Sequence, residues 1–203
     1  MPTSRDASPV SASTPIAEVL AALAAILGRL QLRWYLFGAQ AVLLWGRPRT
    51  SLDIDVTVEL EPEAAPELID RLDEAGFELR IRSGVDAFVR RTRVLPFLHR
   101  ASGIPVDLVL GGPGLEELFL ERAIAVRLGG ADIPVISPED LIVTTILAGR
   151  PKDLEDVRGV LAERLATLDL AGIRSTLAAV EAALGQSDLL PALEAELARV
   201  AGA

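Results

Sequence analysis

Four short stretches carry side chains whose types and spacing could do chemistry. In Asp53-Ile54-Asp55 two carboxylates stand two residues apart. On a strand, positions i and i+2 share a face about 6.6 Å apart, and Ile54 between them points into the core. Two such charges repel by about 2.5 kcal/mol at an effective dielectric of 20. Folding needs no such pair, whereas a divalent cation between them turns repulsion into binding. The plain alternative is two solvated acids at a strand start. Asp107 lies within the apolar run Ile104–Leu110, where an acid is expensive unless something pairs with it. If that strand lies beside the one carrying Asp53 and Asp55, three carboxylates converge, which suits a two-metal site. A strand-edge acid facing water is the other reading.

The third stretch is Phe37-Gly38-Ala39-Gln40-Ala41, passing from a strand into a helix. Free backbone N–H groups at a helix start can cradle phosphate, and glycine permits close approach. The fourth, Gly149-Arg150-Pro151-Lys152-Asp153-Leu154-Glu155-Asp156, holds Lys152, the one lysine among 20 basic residues. A compact ammonium in a chain that otherwise uses arginine suits contact with a triphosphate. Alternatively the stretch is an ordinary helix start, with Asp153, Glu155 and Asp156 complementing the helix dipole.

Composition narrows the choices. There is no cysteine, so disulfides, zinc–thiolate sites and thiol catalysis are excluded. A single histidine, His99, cannot build a multi-histidine metal site. Carboxylates remain, and they favour hard cations such as Mg2+ or Mn2+. The net charge of −9 argues against broad nucleic-acid binding. Residues 80–100 are the exception: Arg80, Arg82, Arg90, Arg91, Arg93 and Arg100 face only Asp86, a local charge of +5.

These residues need elements to position them. With 203 residues, half of them hydrophobic, the chain is a folding sequence. No apolar run approaches the roughly 20 residues of a membrane span, and a cytoplasmic address is expected. The expected architecture is α/β (α+β). A polar, disordered leader (1–14) precedes a mixed-sheet core (15–136), and a helical bundle (137–203) follows. Thr14-Pro15 opens a helix running to about Leu30. Leu32–Phe37 reads as a strand, Ala39–Trp45 as a helix, Leu52–Leu60 as a strand and Pro62–Ala75 as a helix. Phe77–Arg82 and Ala87–Val94 read as a hairpin around Ser83-Gly84. Ile104–Leu110 is a strand, Leu115–Arg122 a helix, and Ala125–Leu128 with Ile133–Ile136 flank a Gly129-Gly130 turn. Ser137-Pro138-Glu139-Asp140 then starts an alanine- and leucine-rich helical region.

In this order the pieces resemble the DNA polymerase beta-like nucleotidyltransferase superfamily. They are most similar to bacterial minimal and AbiEii-type nucleotidyltransferases, some of which are toxins of toxin–antitoxin systems. The matching stretches are Trp34–Ala41, Gly46–Val56, Ile104–Gly111 and Ser137–Leu141 through Lys152–Val157, so the resemblance spans about residues 30–160. It implies that Asp53 and Asp55 hold two metals, and that Asp107 holds the catalytic one and helps activate an acceptor hydroxyl. It also implies nucleotide contacts from Gly38, Ala39, Gln40, Arg49, Thr50, Ser51, Lys152 and Asp153. Ala39 departs from the usual Gly or Ser, leaving only backbone contact there. Thr144 and Thr145 stand on the helix where many relatives carry a lysine. The implied reaction moves a nucleoside monophosphate from an NTP to a hydroxyl of RNA (tRNA included), a protein or a small molecule, and an antitoxin is an implied partner. Two rivals stand beside it. One is a catalytically degenerate binding or antitoxin-like module of the same fold. The other is a haloacid-dehalogenase-type phosphatase, because Asp53-Ile54-Asp55-Val56-Thr57 matches its D-x-D-x-T motif.

Overall fold

The computed structural model describes residues 14–47 and 51–202. The leader before Thr14, and the site candidates Arg49 and Thr50, lie outside the described residues.

Helix α1 (Pro15–Arg29) begins as its sequence dictates. The Thr14 hydroxyl caps it by accepting the Ala17 N–H at 3.3 Å, and Pro15 takes the first turn. Its buried stripe of Val19, Leu20, Leu23, Ile26 and Leu27 lies on the core side of the sheet. Strand β1 (Trp34–Phe37) passes without a loop into α2 (Gly38–Trp45). There follow β2 (Ile54–Glu59), a 3-10 turn (Pro62–Ala64), α3 (Ala65–Glu74), β3 (Phe77–Leu79), α4 (Val85–Thr92), β4 (Val94–His99) and β5 (Ile104–Gly111). Next come α5 (Leu115–Arg122), the hairpin β6 (Ile124–Leu128) and β7 (Ala131–Val135), and four helices: α6 (Pro138–Ala148), α7 (Pro151–Arg164), α8 (Leu170–Leu184) and α9 (Leu189–Ala201).

The strands form one mixed sheet in the order β3-β4-β5-β2-β1-β7-β6. The pairs β2–β5 and β1–β7 are parallel and the rest antiparallel. Along β5 burial alternates, with Ile104, Val106 and Leu108 inward and Pro105, Asp107 and Val109 half-exposed. One face of the sheet is therefore core, and the other carries the acids.

The Gly129-Gly130 hairpin forms as expected, both glycines having positive φ, 56° and 83°. The hairpin expected around Ser83-Gly84 does not form. Residues Val85–Thr92 are helix α4, whose Val85, Phe88 and Val89 recur at helical spacing, with Val89 buried. Arg93, left-handed at φ 53°, ends that helix and turns the chain into β4. Pro96 disguises β4 in the sequence, because proline argues against an inner strand. It is tolerated because its carbonyl, accepting the Arg80 N–H at 2.8 Å, faces the end of the three-residue edge strand β3. A residue in an antiparallel ladder directs N–H and C=O to the same side, so the missing donor faces the sheet's edge.

The C-terminal helices are tied to α2 by a close approach. A Cβ on Gly46 would lie 2.9 Å from the Val160 backbone nitrogen. The Trp45 indole N–H donates to the Ile136 carbonyl at 2.8 Å, and the Arg164 guanidinium stacks 4.9 Å from the Trp45 ring while donating to the Leu44 and Trp45 carbonyls. These contacts set α7 beside the end of α2 and Arg47.

Candidate active site

Asp55 sits in the second position of β2, opposite Phe37 of β1 on one side and opposite Asp107 of β5 on the other. Opposite residues of neighbouring strands share a face about 4.8 Å apart, so Asp55 and Asp107 are neighbours. Asp53, exposed, precedes the strand; Ile54 between the two acids is fully buried. The expected core position of Ile54 is found, flanked by the exposed Asp53 and the half-buried Asp55. The D-x-D-x-T stretch opens strand β2 here, with Ile54 as the strand's first residue.

Gly38 starts α2 with φ +64°, and a Cβ there would overlap the Asp55 Oδ2 and lie 3.0 Å from its Cγ. Glycine is required on both counts. The backbone at the head of α2 thus lies against the carboxylate, and Phe37 at the N-cap offers no side-chain cap to the first N–H groups. Gln40 is buried, and its Nε2 donates to the carbonyls of Ser51 and Asp53 at 3.1 and 3.2 Å. Its amide fastens the loop before β2 onto α2.

Phe37, Gly38, Ala39, Ser51, Asp53 and Asp55 form one wall of a cleft of about 300 Å³. The opposite wall comes from α6 (Leu141, Thr144, Thr145, Ala148) and the start of α7 (Arg150, Lys152, Asp153, Asp156). The Thr144 and Thr145 hydroxyls both donate back to the Leu141 carbonyl, at 3.0 and 2.5 Å, within their own helix. Lys152 makes no ion pair among the described residues. Asp153 is buried and accepts from Arg150 in a fork, Nε at 2.6 Å and Nη2 at 3.2 Å, and from the Arg150 backbone N–H at 3.2 Å. Those hydrogen bonds and the Asp153 charge raise the Arg150 pKa, with a smaller contribution from Asp55 across the cleft. Arg150 is the cation that sequence reasoning passed over. Its signal was there: a basic residue directly before the Pro151 that opens α7.

Asp107 does not line this cleft. The Arg80 guanidinium holds it instead, Nη2 to Oδ1 at 2.5 Å, both side chains being about two-fifths exposed. Among the described residues, no group of three or more Asp, Glu, His or Cys side chains is drawn together closely enough to hold a metal. Carboxylate donors suit a hard cation by chemistry, and register sets Asp107 beside Asp55, with its carboxylate paired to Arg80. His99 lies elsewhere, with its Nδ1 against the Ser102 hydroxyl at 2.8 Å and its ring 4.9 Å from Phe77. The +5 segment is largely neutralised by acids distant in sequence. Arg80 pairs with Asp107, Arg90 with Glu63, Arg93 with Glu61, and Arg100 with Asp73 and Glu78.

The mixed sheet, the glycine turn and the adjacent aspartates define a class of α/β fold built around a carboxylate-lined cleft. The chain belongs to the family described as nucleotidyltransferase of unknown function (DUF6036), whose model matches residues 16–182. No curated protein matches it. Three solved structures share the fold at low identity. An antigenic nucleotidyltransferase-like protein from Paracoccidioides brasiliensis has a TM-score of 0.57 at 19% identity, covering 88% of this chain and 92% of that one. ANT(2'')-Ia in complex with adenylyl-2''-tobramycin has a TM-score of 0.57 at 15% identity, covering 84% and 99%. The lincosamide antibiotic adenylyltransferase LnuA, lincomycin-bound, has a TM-score of 0.50 at 13% identity, covering 74% and 98%. No helix among the described residues is long and apolar enough to cross a membrane.

Proposed function

We propose that this chain transfers a nucleoside monophosphate from an NTP to the hydroxyl of an acceptor. The observation that carries the reading is the row formed by Gly38, Asp55 and Asp107, with the Gly38 backbone against the Asp55 carboxylate and Asp107 in register beside it. Mg2+ or Mn2+ would be held by Asp53, Asp55 and Asp107, and would supply charge neutralisation for the phosphoryl oxygens and the leaving pyrophosphate.

The remaining groups bind and orient. The first N–H groups of α2, at Gly38 and Ala39, offer donors to phosphate oxygens, and Gln40 and Ser51 keep that turn and the Asp53 loop together. Lys152 and Arg150 face them across the cleft as counter-charges to a triphosphate. Asp153 acts through Arg150 by holding its guanidinium. In the transfer, the acceptor oxygen bonds to the α-phosphorus as the bond to the bridging oxygen breaks. Pyrophosphate leaves, and the hydroxyl proton passes towards Asp107. The work is mostly positioning and charge stabilisation.

For the acceptor we favour a small hydroxyl compound over RNA. The arginine segment that could anchor RNA is mostly occupied by acids of this chain, and two of the similar folds are bound to an adenylylated or unmodified antibiotic. A toxin role with an antitoxin partner rests on the sequence resemblance alone. The reading is tested by titrating each NTP with and without Mg2+ in a calorimeter. Binding of one NTP that needs the metal, and is lost in Asp55→Asn, is the expected result. Metal-independent binding, unchanged in Asp55→Asn, would favour the degenerate binding module.

A further inference from the structure

Arg80 is the residue of the carboxylate row that the proposed reaction leaves unexplained. It follows directly on β3, and its backbone N–H reaches Pro96 of β4. Pro96 is opposite Asp107, and Asp107 is opposite Asp55. Arg80, just beyond β3, and Pro96, Asp107 and Asp55 on three adjoining strands thus stand in one line across the sheet. Pro96, compact and without a long side chain, leaves the guanidinium a clear reach over β4 to the Asp107 carboxylate.

We propose that Arg80 is a positioning residue for Asp107: it holds this carboxylate when no divalent metal is bound, and competes with the metal for it. The inference rests on the reading of Asp107 as a metal ligand. A guanidinium within hydrogen-bond distance of one carboxylate oxygen withholds that oxygen. Its positive charge also opposes a cation on the other. The pair is nearly half-exposed, and exposed ion pairs are weak, so a divalent ion can displace the arginine without any change of fold. In this arrangement Asp107 is kept oriented, and the third ligand joins only as Arg80 swings clear.

The test is a Mn2+ titration of the nucleotide-free protein, read by the electron paramagnetic resonance of the free ion. It compares wild type, Arg80→Met, Arg80→Lys, Asp107→Asn and the Arg80→Met/Asp107→Asn double variant. Circular dichroism verifies that each is folded. Arg80→Met should bind Mn2+ about threefold or more tightly than wild type, the scale expected for losing an exposed competing pair. Arg80→Lys, keeping the charge, should stay close to wild type, and the gain should vanish in the Asp107→Asn background. If Asp107→Asn weakens Mn2+ binding but Arg80→Met does not strengthen it, the role of Arg80 is overturned and the metal site stands. A gain from Arg80→Met that persists without Asp107 overturns it too, since the arginine then acts only through the general field. If Asp107→Asn leaves Mn2+ affinity unchanged, Asp107 is no ligand and both readings fall together.

Discussion

Gly38 shows how one residue type can decide a site. Its positive φ and its contact with Asp55 exclude any side chain, so Gly38→Ala must push α2 away from the carboxylate or strain the backbone. Loss of NTP binding with a stability decrease of about 1–3 kcal/mol is expected, to be checked by calorimetry and urea unfolding together. Lys152 is a subtler case, because Lys152→Arg keeps the charge and replaces a point donor by a planar fork. NTP affinity should fall severalfold, whereas Arg158→Lys, further along α7, should leave it unaltered. Equal effects at the two positions would make Lys152 an ordinary helix-start cation. Tyr35 reports on the core behind the site. Burial pushes its pKa up to about 12, against a hydrogen bond from Thr57 that lowers it. The raised value means that the fold favours the neutral phenol. Stability should therefore hold up to about pH 10 and decline between pH 10 and 12 by about 2–3 kcal/mol. Tyr35→Phe should remove that slope, as alkaline unfolding curves would show.

At the scale of elements, what could be read from sequence was what local spacing encodes. Asp53 and Asp55 alternate about a core isoleucine, Gly38 joins a strand to a helix, and Pro138 and Pro151 open helices; each depends on a few neighbouring residues. What escaped depends on partners far away in the chain. Helix α4 was hidden because eight residues with a Ser83-Gly84 turn before them fit either period, and β4 because Pro96 reads as a breaker until β3 is known to be an edge strand. The Arg80–Asp107 pair joins residues 27 apart through the register of three strands, which no local pattern contains. The helical region has an equivalent in Glu196. This side chain is 1% exposed between Arg158 of α7, at 2.9 Å, and Arg199 of α9. Breaking a wholly buried pair costs about 3–5 kcal/mol, but these arginines are about half-exposed and can turn to water. Glu196→Ala should therefore destabilise by about 1–2 kcal/mol in urea unfolding, with nucleotide binding retained.

Across the whole molecule, charge is arranged to a different plan than the count along the chain suggests. An acidic protein with one basic segment looks like a nucleic-acid binder with a single contact patch, yet folding brings Glu61, Glu63, Asp73, Glu78 and Asp107 onto that patch. The sheet order does the same for the acids, carrying Asp107 from a point more than fifty residues away to the side of Asp55. The fold as a whole thus sets Asp53 and Asp55 on one wall of a cleft and Arg150 and Lys152 on the other, with Asp153 holding Arg150 in place, and charges so placed suit the phosphoryl transfer proposed above. The most direct measurement of that claim uses NTPs labelled at the α-phosphate. Each is incubated with Mg2+, the pure protein and fractionated small hydroxyl compounds and RNA, with Asp53→Asn and Asp55→Asn in parallel. The account expects label to move to one acceptor class with release of unlabelled pyrophosphate, and both variants to be inactive though folded. Label transfer at the wild-type rate in both variants would contradict it.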